Sequence, residues 1–121
     1  MTKKVDFTKY ADFVDGVTSH PSKDYQCFIE SISSLDGKGA NIERLLTAAV
    51  GISAEGGEFM EIVKKIIFQG KPWNDDNREH LIIELGDVCW YVMQACMALG
   101  VSLDEVVEGN VDKLKKRYPG G

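Results

Sequence analysis

The sequence predicts an all-α protein, a bundle of four to five helices whose core pair runs antiparallel. Three observations carry this reading. Apolar residues recur at helical spacing along most of the chain. Cap and stop residues cut that pattern into segments of helical length. No stretch alternates apolar and polar residues as a half-buried strand would.

The first segment, residues 6–17, places Phe7, Tyr10, Phe13, Val14 and Val17 on one stripe before the break at Ser19-His20-Pro21-Ser22. A second runs from Lys23 to about Leu35 with Tyr25, Phe28, Ile29 and Ile32 aligned, and ends in the glycine-containing loop 36–41. Asn41 is placed to cap the third, Ile42 to Gln69, for which the glycines predict a bend near 51–53 or 56–57. Gly70 and Pro72 end it, and Asn74 or Asp75 caps the fourth, Asp75 to Leu99. From Leu85 onward that helix is apolar nearly all round, which predicts the most buried member. Ser102 and Glu105 form a capping box for the last helix, which runs to Arg117 before Pro119. We divide the chain into an accessory segment, residues 1–22, and a helical domain, residues 23–119.

Composition narrows the function. A chain of 121 residues with 44% hydrophobic side chains suits one domain with its own core. A net charge of -5 gives no reason to expect a nucleic acid polymer or an anionic membrane as partner. Cys27, Cys89 and Cys96 lack metal-ligand spacing and read as reduced thiols, with Cys89 and Cys96 in the core seam of the fourth helix. No run approaches a membrane span on this reading and no secretory leader is recognisable, so a cytoplasmic protein is expected.

The acidic residues are the anomaly. Glu55 and Glu58 lie three apart on the third helix, and Glu84 and Asp87 three apart on the fourth. Residues at that spacing are neighbours on a helix face, with Cβ atoms about 5–6 Å apart. The short connection around Lys71 to Asn74 favours antiparallel packing, which brings both pairs to a similar height. Four carboxylates then meet across one interface, repel one another and are costly to desolvate. An oxygen-only set without His or Cys suits a hard divalent cation, Mg²⁺ first and Mn²⁺ as substitute. Mg²⁺ commonly completes its shell with substrate phosphates, so hydrolysis of a phosphate ester or anhydride is implied. Redox iron is disfavoured because neither His20 nor His80 follows a Glu by three.

Together the E-x-x-E at Glu55/Glu58, the E-x-x-D at Glu84/Asp87, the following Trp90-Tyr91 and the ending N-x-x-K-L-K-K-R-Y-P from Asn110 resemble the MazG-type all-α nucleoside triphosphate pyrophosphohydrolases. The resemblance covers about Lys23 to Pro119. It implies hydrolysis of a (deoxy)nucleoside triphosphate to the monophosphate and pyrophosphate, in nucleotide-pool control or house-cleaning, by a homodimer or homotetramer. It implies that the four acids hold Mg²⁺, which in turn holds the triphosphate, while a metal-bound water attacks the α-phosphorus. Many relatives carry one more Glu before the first motif residue, where this chain has Ala54. If that Glu assists water activation, Glu61 or another group does so here, or none does. The alternatives are a phosphoribosyl-ATP pyrophosphohydrolase, whose relatives match the C-terminal ending less closely, and a non-catalytic metal-binding helical module. Gly56, Gly57 and Gly86, interleaved with the acids, favour an enzyme, because small residues let a second helix or a substrate approach.

Candidate substrate contacts each have a plainer reading. Lys113, Lys116 and Arg117 share one side of the last helix, where cations also complement the helix dipole. The resemblance favours phosphate binding by Lys113 and Arg117, with Asn110 beside them. Lys64 and Lys65 follow Glu58 by about two turns; a solvated face accounts for at least one, and Lys65 stays a substrate candidate. Glu61, rotated off the Glu55 face, reads as a salt-bridge partner for these lysines. Tyr91, four residues after Asp87, is the candidate for base or sugar contact, and Trp90 reads as core. Trp73 can stack on a base or cover the core edge. Gln26 can read a base edge. His80 reads as an exposed residue near a helix start.

Overall fold

The computed structural model describes residues 4–120, so residues 1–3 of the accessory segment lie outside the described residues. Five α-helices are present among them: α1 Phe7–Gly16, α2 Tyr25–Gly37, α3 Ile42–Phe68, α4 Asp75–Leu99 and α5 Leu103–Arg117. A single 3₁₀ turn, His20–Ser22, stands between α1 and α2. The fold class is all-α, as the sequence predicts, and the helix bounds fall within two residues of the expected ones.

The ends are set by local chemistry. Asp6, Asp24, Asn41, Asn74 and Ser102 each accept a backbone N–H from the first turn of the helix that follows. Asn74 rather than Asp75 therefore caps α4, at 2.9 Å from Asn77 N. Asn77 in turn donates to the Pro72 carbonyl at 2.6 Å, which ties the connection to the helix start. The chain leaves α3 and α4 through Gly70 (φ 72°) and Gly100 (φ 67°), left-handed positions where a side chain would be strained.

The described residues fall into two compact units, the first ending at Gly39 and the second beginning at Ala40. In the first, α2 packs against the 3₁₀ turn. Lys23 Nζ closes the chain there, donating to the Asp15 carbonyl at 2.7 Å and pairing with its carboxylate at 3.2 Å. Cys27 lies at the start of α2, its thiol pushed up mainly by a hydrogen bond to Asp24.

The second unit is organised by α3 against α4. Arg44 Nη1 meets Met97 Sδ at 3.2 Å, the Tyr91 ring lies on Gly51, and Glu55 faces Glu84 and Asp87. Rising numbers on one helix match falling numbers on the other, so the pair is antiparallel. Ala48, Gly51 and Ile62 of α3 and Cys96 of α4 are the buried residues. α5 buries none and does not pack along either helix.

Three expectations are corrected. α4 is not the most buried helix: Cys96 alone is buried, while Cys89 and Trp90 (57% exposed), both expected in the core, lie open with Leu85, Met93 and Met97. Its apolar residues point both toward α3 and away from it, and α3 covers only one side. The tight approach to α4 is at Gly51, whereas Gly56, Gly57 and Gly86 have nothing within 4 Å of where a Cβ would stand. Finally, α4 is by length and apolarity long enough to cross a membrane, although the sequence reading found no such run. The carboxylates in its middle, facing another from α3, argue for packing on protein rather than lipid.

The glycine contrast makes a prediction about sign. Gly51→Ala gains helix propensity yet drives a methyl into the Tyr91 ring, and is expected to destabilise by about 1–3 kcal/mol as overpacking does. Gly57→Ala, in open space, is expected to stabilise by roughly 0.5–1 kcal/mol. Urea unfolding followed by circular dichroism reads both; equal effects of one sign would contradict the packing described.

Candidate metal centre

The register of α3 on α4 decides which acids meet. Glu55, Glu84 and Asp87 bring carboxylate oxygens within 4.8 Å of one another, with Glu55 and Glu84 half-buried and Asp87 exposed. Glu58, one turn further along α3, is exposed and stands outside this trio, although its charge still reaches Glu55. Three of the four acids are thus gathered tightly, and the fourth lies at the margin.

Electrostatics record the crowding. The Glu55 carboxyl titrates above the ordinary carboxylate range. Its leading cause is a hydrogen bond with the Glu84 carboxyl, followed by loss of water and then by the charges of Asp87, Glu84 and Glu58. Glu84 Oε2 is buried and has no hydrogen-bond partner. A buried carboxylate oxygen left unpaired is costly, and in an oxygen-only set a hard divalent cation is the partner that removes the cost. The residues present therefore fit Mg²⁺ or Mn²⁺.

His80, on the turn of α4 before Glu84, brings Nε2 to 3.4 Å from Glu84 Oε1. The sequence reading left it as a merely exposed side chain; its i, i+4 relation to Glu84 was the available signal. Glu61 pairs with Lys64 at 3.3 Å and Lys65 at 3.9 Å, as its rotation off the Glu55 face predicts. These lysines engage the one acid considered as a substitute for the Glu that Ala54 replaces.

The other candidates are dispersed. Tyr91 is half-buried on Gly51, in edge-to-face contact with Trp90 (centroids 4.9 Å apart). It borders a groove of about 350 Å³ lined also by Leu46, Thr47, Val50 and Ala54, next to Glu55 along α3. Lys65 is held by Glu61, and Trp73 is exposed in the α3–α4 connection. Asn110, Lys113 and Arg117 are exposed on α5, and the Arg117 guanidinium sits 5.9 Å from the ring centre of Tyr118. Gln26 belongs to the first unit, where its amide approaches Glu30 at 3.5 Å. A hollow of about 670 Å³ also lies in that unit. Its one carboxylate, Asp24, is spent on capping α2, so it offers nothing comparable to the trio.

An antiparallel helix pair that draws carboxylates from both members into one oxygen-only cluster defines an all-α protein with a candidate divalent-cation site. The MazG nucleotide pyrophosphohydrolase domain matches residues 44–121, which takes in nearly all of α3 and the whole of α4 and α5. The chain belongs to that family. It is also 39% identical over 82 residues to the Gene 37 protein of Mycobacterium phage L5, an alignment spanning 67% of this chain and 72% of that protein. No solved structure matches.

The raised Glu55 carboxyl fixes the sign of a pH effect. Folded Glu55 keeps its proton to higher pH than the unfolded chain does. Its contribution therefore favours the fold below the ordinary carboxylate range and is lost as pH rises through the raised value. In EDTA, Glu55→Gln is expected to melt above the native chain at neutral pH, with the gap closing on acidification. Melting curves across a pH series check this; a gap that widens toward acid would contradict it.

Proposed function

We propose that this chain hydrolyses (deoxy)nucleoside triphosphates to the nucleoside monophosphate and pyrophosphate, with Mg²⁺ held at Glu55, Glu84 and Asp87 and Glu58 completing the set. The observation that carries the reading is the juxtaposition of the three carboxylates, one with a buried unpaired oxygen, in a chain of the MazG nucleotide pyrophosphohydrolase family. Mn²⁺ is the expected substitute. When bound, such a cation supplies Lewis-acid stabilisation of the charge that develops on the phosphate oxygens.

The chain's own residues divide the remaining work. The carboxylates orient the polyphosphate through the cation and, being negatively charged, reject a bare triphosphate. Tyr91, with the groove beside it, takes the base or sugar, its ring held at one height by Gly51. Lys113 and Arg117, with Asn110 and Lys65, meet phosphate oxygens, and Trp73 contributes to base recognition. Open space at Gly56, Gly57 and Gly86 leaves room for the nucleotide or a second copy over the acids.

The exposed apolar residues support a symmetric homodimer or homotetramer. Trp90, Met93 and Met97 on α4 and Val107, Val111 and Leu114 on α5 are more surface than a solitary domain leaves in water. A cytoplasmic role in control of the nucleotide pool goes with this chemistry.

Two measurements test the reading. Asp87→Asn and Glu84→Gln, which remove charge and keep shape, are expected to lower kcat/KM by about two orders of magnitude or more while leaving the far-ultraviolet spectrum intact. Undiminished turnover in both would sink the assignment. Light scattering behind size exclusion is expected to return a dimer or tetramer at micromolar protein, and a clean monomer would overturn the assembly proposed.

A further inference from the structure

We propose that His80 is a positioning residue for the cation site, holding Glu84 in the orientation that leaves one of its oxygens for the metal. The inference rests on the cation reading above, and it assigns a role to a residue outside the acidic motif. The two oxygens of Glu84 are in different circumstances. Oε1 has His80 Nε2 at 3.4 Å, whereas Oε2 is buried without a partner. The Glu84 side chain is only 14% exposed, although three other acids press on the same region.

That arrangement needs a restraint. Repulsion from Asp87 and Glu55 acts to rotate an unheld Glu84 outward, where both its oxygens would meet water. Side chains on a helix lean toward its N-terminus, so Glu84 reaches back over the turn that carries His80. A ring nitrogen placed there holds the carboxylate from the side away from Asp87, which lies one turn further on. His80 needs only a hydrogen on Nε2, and neutral imidazole can supply it. Partners in the layer behind metal ligands act in this way, fixing a ligand's orientation before the ion arrives; their loss typically costs about 10–100-fold in metal affinity. As a mere surface pair the contact would matter little to stability, because the His80 side chain is half exposed. Its effect is expected on metal affinity and not on the fold.

Direct Mn²⁺ binding to the full chain, followed by electron paramagnetic resonance without nucleotide, tests this independently of turnover. His80→Ala is expected to weaken Mn²⁺ binding by about tenfold. His80→Gln, whose amide N–H can take the same place, is expected to recover most of that loss. Both variants should melt in EDTA within a degree or so of the native chain. His80→Ala binding as tightly as the native chain would overturn the proposal, as would a loss that His80→Gln does not recover, or a native chain that binds no Mn²⁺. A native chain that binds Mn²⁺ with this His80 dependence but hydrolyses no nucleoside triphosphate would support the positioning role and count against the proposed reaction alone.

Discussion

The seating of the Tyr91 ring on Gly51 sets how closely α3 and α4 approach, and the acidic cluster depends on that distance. A methyl at position 51 would collide with the ring, so glycine lets the helices close in there. Just further along α3, Glu55 then has no choice but to face Glu84 and Asp87. Packing free energy from Ala48, Gly51, Ile62 and Cys96 holds together groups that electrostatics would separate. The raised Glu55 carboxyl and the orphaned Glu84 oxygen are what such forced proximity produces.

A local conflict of this kind is informative because sequences otherwise avoid it. Caps, stops and apolar stripes all agree with one helical layout, and the disagreement is confined to the acids. A cation would turn the same cluster from a cost into a source of binding free energy, since it would offset the repulsion among the carboxylates and satisfy the unpaired oxygen. His80 extends this logic by one layer. It adds nothing to the donor set, yet it bears on the oxygen that is not needed for the ion.

Much of this was legible in the sequence, for identifiable reasons. Helix ends are local: Asn41, Asn74 and Ser102 act within three residues of themselves, so they could be read without knowing the fold. The antiparallel register followed from a short connection between two long helices, and with it the meeting of the motif acids. Burial was not local. Periodicity shows which positions are apolar but not what covers them, which is why Trp90 and Cys89 were read as core although α3 covers only the opposite side of α4. The role of glycine also depends on the neighbour. Gly51 and Gly57 look alike in sequence, yet one is under a ring and the other in open space. The three-residue step that keeps Glu84 and Asp87 together in the trio leaves Glu58 outside it, so spacing alone did not decide which acids meet.

The central claim is that the clustered carboxylates serve cleavage of a nucleotide between its α- and β-phosphates. Turnover of the common ribo- and deoxynucleoside triphosphates with Mg²⁺ in oxygen-18 water, read by mass spectrometry, tests it most directly. The account predicts monophosphate carrying one solvent oxygen, with unlabelled pyrophosphate, from at least one nucleotide. Release of labelled orthophosphate with nucleoside diphosphate, or no product with Mg²⁺ or Mn²⁺, would contradict it.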